Sequence, residues 1–257
     1  MLPSFTSYVA LGDSTSIDLY PALDAGEMDV AVALERDPTA GAVAPLGAAS
    51  LLYQNDDARY PDDQAQDLVS RYPGIVLHNL AGDGATIGDV FGEQLLQLDA
   101  SDEATLVTLS VGANDLLSAF SNRPRATLLA RIARDVAESY ELLVDAIRRA
   151  RPESLLLLTA LYDPSDGLGR IPGILEGAGT LPIAVLHGLN AHIRALAEGT
   201  PRVVFVDVHD RFLGHGAAAP EGERWYWRRS LLEPGTAGAH EIRRAWRDAL
   251  DEAELAG

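Results

Sequence analysis

The 257-residue chain contains no cysteine and no lysine, since all twenty of its basic residues are arginine. The first absence excludes thiol nucleophiles, disulfides and thiolate metal sites. The second excludes Schiff-base chemistry on lysine and the phosphate-gripping lysine of a P-loop. Positive charge is scarce as well, with 20 basic against 38 acidic residues and a formal charge of −18. Such a field repels phosphate backbones and anionic headgroups, so no nucleic-acid partner is expected. No apolar run approaches the roughly 18 residues that span a bilayer, so no stable membrane insertion is expected. The opening segment, MLPSFTSYVALGDS, has neither a basic region nor a long apolar stretch of the kind found in leaders, and the sequence reads as cytoplasmic. Aromatic residues make up only 6% of the chain, which points to small or medium rather than bulky ligands.

What is present is the makings of an ordinary globular core: 47% hydrophobic and 23% charged residues. At about 150 residues per domain the length admits one large domain, taken as 1–257. Short apolar runs recur at Tyr8 to Leu11, Ile75 to Leu77, Leu106 to Val111, Leu155 to Leu158 and Val203 to Val206. Between them lie segments of helical spacing, Asp62 to Tyr72, Ile87 to Leu98, Arg125 to Ala150 and Ile183 to Glu198, with Thr236 to Leu250 last. Strands that are apolar on both faces and alternate with helices require crossover connections. The expectation is a three-layer α/β/α sandwich around a five-stranded parallel sheet. Two stretches rich in Gly, Ala, Pro and Asp, about 17–59 and 163–182, read as long loop insertions, a kind of segment that is more often functional than idle.

In open parallel sheets the ligand crevice lies beyond the carboxyl ends of the strands. The residues there are polar in this chain: Gly12-Asp13-Ser14, Asn79 followed by Gly82-Asp83-Gly84, Gly112-Ala113-Asn114-Asp115, Tyr162-Asp163, and Asp207 with His209 and Asp210. A serine in a strand-to-helix turn can expose its hydroxyl together with its own N–H. A glycine N–H and an asparagine amide at neighbouring strand ends can supply further donors to an oxyanion. Ser14, Gly84 and Asn114 hold those places, although each alone reads more simply as a cap, a turn glycine and a backbone-bonding amide.

Together the blocks YVALGDS, NLAGDGAT and LSVGAND resemble the SGNH hydrolases, also called GDSL esterases and lipases, over nearly the whole chain. The resemblance implies a flavodoxin-like fold, no cofactor and no metal. It also implies a small-molecule ester substrate, with Ser14 as nucleophile and Gly84 and Asn114 completing the oxyanion hole. Oligomeric state is left open. The fourth block departs from the pattern. The family carries Asp, two residues, His, Pro and then a glycine four places on, whereas this chain reads SLLEPGTAG. Anchoring on Pro234 and Gly238 puts Glu233 in the place of the histidine and Ser230 in the place of the aspartate. A glutamate moved from about 4.3 to about 7 would serve as base, at a cost of roughly 3 to 4 kcal/mol that burial can supply.

The second candidate base is His215, in the segment FLGHG, which with YDPSDG looks like a branch of the same superfamily. His240 falls inside the last helix and reads as a packing or solvent residue. His209 reads as bonded within the rim. The acidic cluster Asp56, Asp57, Asp62 and Asp63 reads as a solvated loop. Two alternatives to hydrolysis stand beside it: a ligand-binding protein that lacks a competent base, and an acyltransferase using the same serine.

Overall fold

The computed structural model describes residues 4–28, 43–121, 126–173 and 180–256. Five parallel strands form the sheet: β1 (Ser7–Gly12), β2 (Val76–Asn79), β3 (Thr105–Ser110), β4 (Leu155–Thr159) and β5 (Val203–Val206). Their spatial order is β2-β1-β3-β4-β5, the flavodoxin-like order, with the topological switch beside β1. Tyr8 lies opposite Leu77 on one side and Leu106 on the other, and the β1–β3 pairing runs on to Gly12 and Ser110. The three central strands are buried along their whole length. β2, by contrast, is an edge, with Val76, His78 and Asn79 exposed, so one of the five apolar runs belongs to a half-solvated strand.

Alternate residues of each central strand feed two cores, as a two-residue side-chain period requires. Tyr8, Leu106, Leu155 and Leu157 pack with Ala48, Leu52, Ile242 and Trp246. Val9, Leu11, Val107, Leu109, Leu156 and Leu158 pack with Val136, Tyr140, Leu143 and Ile193 on the opposite face. Ala48 and Leu52 lie on the short helix 48–53, and the helix residues of the rest lie on the long helices 126–150, 183–199 and 236–256. Trp246 is fully buried and donates its indole N–H to Thr159 Oγ1 at 2.9 Å.

Several elements differ from the sequence reading. The segment 17–59 is not a plain loop, for it holds helices Leu19–Ala25 and Ala48–Tyr53. Residues 29–42 of it, and 174–179 of the second stretch, lie outside the described residues. The helical spacing at 62–72 resolves into a single 3₁₀ turn at Pro61–Asp63 and a short helix at Leu68–Arg71. The stretch after Ile87 is one α turn, a π turn at Val90–Gln94 and a 3₁₀ turn at Leu95–Gln97. A short antiparallel ribbon, β6 (Tyr226–Trp227) with β7 (Ser230–Pro234), precedes the last helix and carries Glu233.

Of the acidic cluster, Asp57 and Asp62 are exposed as expected and Asp56 is half-buried, but the reading of Asp63 is corrected. Asp63 is buried rather than solvated, because Arg243, Arg247 and His240 on the last helix all reach it, at 3.0, 2.6 and 2.7 Å. His240 is further stacked on Tyr60 with ring centroids 4.0 Å apart, which makes it a packing residue.

Candidate active site

The turn after β1 depends on Gly12. Its φ is +119°, and a Cβ there would lie 1.9 Å from the Ser110 carbonyl oxygen, so only glycine lets the chain turn this tightly against β3. The Asp13 N–H then donates to that same oxygen at 2.9 Å. Asp13 is buried and accepts from the Thr15 N–H through Oδ1 at 3.0 Å. Burial dominates and pushes its carboxyl up to about 6, against the opposing pull of Thr15. Ser14 stands at the crest of the turn and borders an open cleft.

Asn114 opens the helix after β3, Ala113–Ser121, and donates through Nδ2 to the Ala85 carbonyl at 3.0 Å. Its neighbour Asp115 accepts from the Ile87 N–H at 3.1 Å. Two consecutive side chains thus hold both ends of the turn that follows Gly84, which itself adopts φ +69°. An amide nitrogen carries two N–H groups, and the bond to Ala85 uses one of them. On the outer side of that loop, Tyr20 donates to Asp83 at 2.9 Å and packs against Trp227 of the ribbon.

Glu233 reaches the cleft from β7. Tyr162, at the end of β4, donates to the Leu232 carbonyl at 2.9 Å, and the Gly235 N–H donates to the Trp225 carbonyl at the same distance. These bonds fix the ribbon on either side of Glu233. Desolvation pushes its carboxyl up to about 7, with Asp83 and Asp13 adding to the rise and the adjacent Ser14 hydroxyl opposing it. Glu233 Oε2 is buried with no hydrogen-bond partner among the described residues.

Ser14, Asn114 and Glu233 line one cleft with an empty volume of about 830 Å³, its open mouth included. Apart from these three and Asp13, Tyr162 and Asp163, the lining is apolar, including Leu116, Leu117, Phe120, Leu129, Leu186 and Leu232. The helix bearing Leu116, Leu117 and Phe120 has no fully buried residue; Leu116 packs against the core as well as lining the cleft, and Leu117 and Phe120 border the cleft beside it. Gly84 is adjacent to the turn held by Asn114 and is not part of the lining.

His215 is not brought to the cleft. Its ring is stacked on Trp225, 3.7 Å between centroids, and Nδ1 lies 2.9 Å from the Glu223 carbonyl. The loop around it is clasped by Asp166, whose carboxylate accepts from the N–H groups of Gly214, Gly216 and Ala218. FLGHG and YDPSDG are therefore two halves of one brace behind the ribbon. His209 Nδ1 lies 3.1 Å from the Leu161 carbonyl, also away from Ser14. Tyr162 is the contributor that sequence reasoning undervalued. Its position after β4 was visible, but its bond to a residue seventy positions later was not.

A parallel sheet in this order, with polar loops at its carboxyl ends, defines an α/β protein with a crevice at the topological switch. The sequence model of the GDSL-like lipase/acylhydrolase family matches residues 39–240. The chain belongs to that family. The matched span includes Gly84, Asn114 and Glu233 and begins after Ser14. Among solved structures, the chain is 19% identical to an extracellular lipase from Streptomyces rimosus, with a TM-score of 0.57, covering 95% of this chain and 99% of that one. It is 17% identical to phospholipase A1 from Streptomyces albidoflavus, with a TM-score of 0.54 over 96% and 99% of the two chains. A catalytic mutant of an acetylxylan esterase from Geobacillus stearothermophilus gives 15% identity and a TM-score of 0.59, over 97% and 96%. At these identities the likeness is one of fold. No curated protein sequence matches the chain. Among the described residues no helix is long and apolar enough to cross a membrane.

Proposed function

We propose that this hydrolase-family protein cleaves carboxylic esters of small or medium acyl chain through a Ser14–Glu233 pair. One observation carries the reading: a desolvated carboxylate, pushed up to about 7 against the opposing pull of the Ser14 hydroxyl, lines the same largely apolar cleft as that serine. A general base is most useful when its pKa lies near the working pH.

In this reading the acyl chain lies along Leu116, Leu117 and Phe120. Ser14 Oγ bonds to the acyl carbon while its proton passes to Glu233, and the carbonyl π electrons move onto oxygen. The N–H groups of Ser14 and Gly84 and the remaining N–H of Asn114 receive that oxyanion. Collapse breaks the bond to the alcohol, which leaves with the proton held by Glu233. Water then attacks the acyl carbon of the acyl-serine, giving its proton to Glu233, and collapse breaks the bond to Ser14 Oγ, which takes that proton back as the acid is released. A histidine base becomes a cation that offsets the oxyanion, whereas glutamate becomes neutral. The negative charge simply moves from carboxylate to oxyanion, so stabilisation falls wholly on the N–H donors.

A fluorophosphonate probe tests the assignment. Wild type is expected to take label at Ser14 and to hydrolyse p-nitrophenyl esters, and Ser14→Ala to do neither. Absence of label across pH 5 to 9 would overturn the reading in favour of a ligand-binding protein.

A further inference from the structure

β2 leaves the sheet at Asn79, two residues before the β1 register ends. Past that point the β2 side of Gly12 has no strand to pair with. The Gln94 side chain fills the place. Its Oε1 accepts from the Gly12 N–H at 2.8 Å and its Nε2 donates to the Gly12 carbonyl at 2.8 Å, so one primary amide does the work of a neighbouring peptide unit. The same carbonyl accepts from the Gly82 N–H at 3.0 Å, two residues before Gly84. Gln94 is 4% exposed although Gly92 and Glu93 beside it face solvent. It closes the π turn Val90–Gln94. A π turn holds one residue more than an α turn, which changes the direction of every later side chain, and such turns recur at functional sites.

We infer that Gln94 is a positioning residue for acylation, its amide fixing the turn that presents Ser14 and tying it to the loop that presents Gly84. This rests on Ser14 being the nucleophile. Of the neighbouring strands only β3 pairs with Gly12, and its conformation is one that side chains rarely adopt. A second clamp is what keeps the hydroxyl and the oxyanion donors in register. Gln94 is not part of the cleft lining, so its loss should affect the alignment of reacting atoms and leave ligand binding in place.

The experiment measures fluorophosphonate labelling rates and ester turnover for the full chain, Gln94→Leu and Gln94→Glu, with folding checked by circular dichroism. Gln94→Leu removes both bonds, and its labelling rate and kcat are expected to fall about 10²-fold, the order of loss that a misplacement of about 1 Å causes, with KM unchanged. Gln94→Glu keeps the acceptor, and its carboxyl regains the donor when protonated. Its labelling rate relative to wild type at the same pH is expected to rise from pH 9 toward pH 5. That ratio cancels the titration of Glu233, and Asp13, one residue from the clamp, is common to both proteins. Failure of the wild type to take label would defeat the Ser14 assignment itself. Labelling of wild type with an equal rate in folded Gln94→Leu would overturn the role of Gln94 alone. Should the leucine variant not fold, a flat Gln94→Glu ratio at the wild-type rate would overturn it equally.

Discussion

Glu233 and Asp63 are both carboxylates removed from water beside the last helix, one just before its first turn and the other against its side. Burial pushes each upward. At Asp63 the hydrogen bonds from His240 and Arg247 and the charge of Arg243 outweigh that push and hold the group at about 2. At Glu233 only the Ser14 hydroxyl opposes it, and two further acids reinforce it, so the group rests at about 7. Among the described residues the helix supplies two arginines and the ring of His240, whose own titration burial lowers, to one acid and no such partner to the other. One arrangement makes a permanent anion that ties the acidic loop to the helix, and the other makes a group that exchanges protons near neutrality.

Removing each carboxylate should therefore give opposite phenotypes. Glu233→Gln is expected to lower kcat by about 10² to 10⁴ without loss of thermal stability, measured by ester turnover and melting. A variant as active as wild type would end the comparison. Next in size, Asn114→Ala should cost about 10² to 10³ in kcat if its free N–H meets the oxyanion. Asp63→Asn should leave the chemistry intact and cost about 3 to 5 kcal/mol in denaturant unfolding, because Arg243 would remain buried without its counter-charge.

The pH dependences sharpen the contrast. Activity should rise with pH through about 7 as Glu233 ionises. For stability the signs differ. Asp63 titrates lower in the folded than in the unfolded chain, so its contribution is present above about pH 4 and is lost as pH falls toward 2. Glu233 titrates higher when folded, so between about 4.5 and 7 the native state keeps a proton that the unfolded chain has released, and stability declines as pH rises across that window. Melting curves of wild type and Glu233→Gln over pH 4 to 8 would show a steeper decline in the first, the difference lying between about 6 and 7 because Asp13, pushed up to about 6, contributes to both below that. The smallest expected effect is that of His215→Ala, which should leave Ser14 labelling unchanged, since the ring is stacked away from the cleft.

The sheet was legible because three of its strands are apolar on both faces, and those runs match the observed strands to within one or two residues. That Ser14, Asn114 and Glu233 would line one cleft was legible because turn chemistry and block spacing are local properties. What escaped was set by distance along the chain. Asp63 read as solvated because its partners lie about 180 residues away. The ribbon escaped because Tyr226–Trp227 is too short to show alternation, and the π turn escaped because apolar spacing does not distinguish one helical register from the next.

The ribbon has a consequence for how such a protein changes over generations. The hydroxyl and its donors are rooted in the central sheet, where any shift is felt by two cores. Glu233, the proposed proton acceptor, hangs from a separate two-stranded bracket, pinned by Tyr162 and the Trp225 carbonyl. A bracket of that kind can be refitted with a different acid or base while the foundations stay still, and it is this bracket that carries both departures of the last block, Ser230 and Glu233.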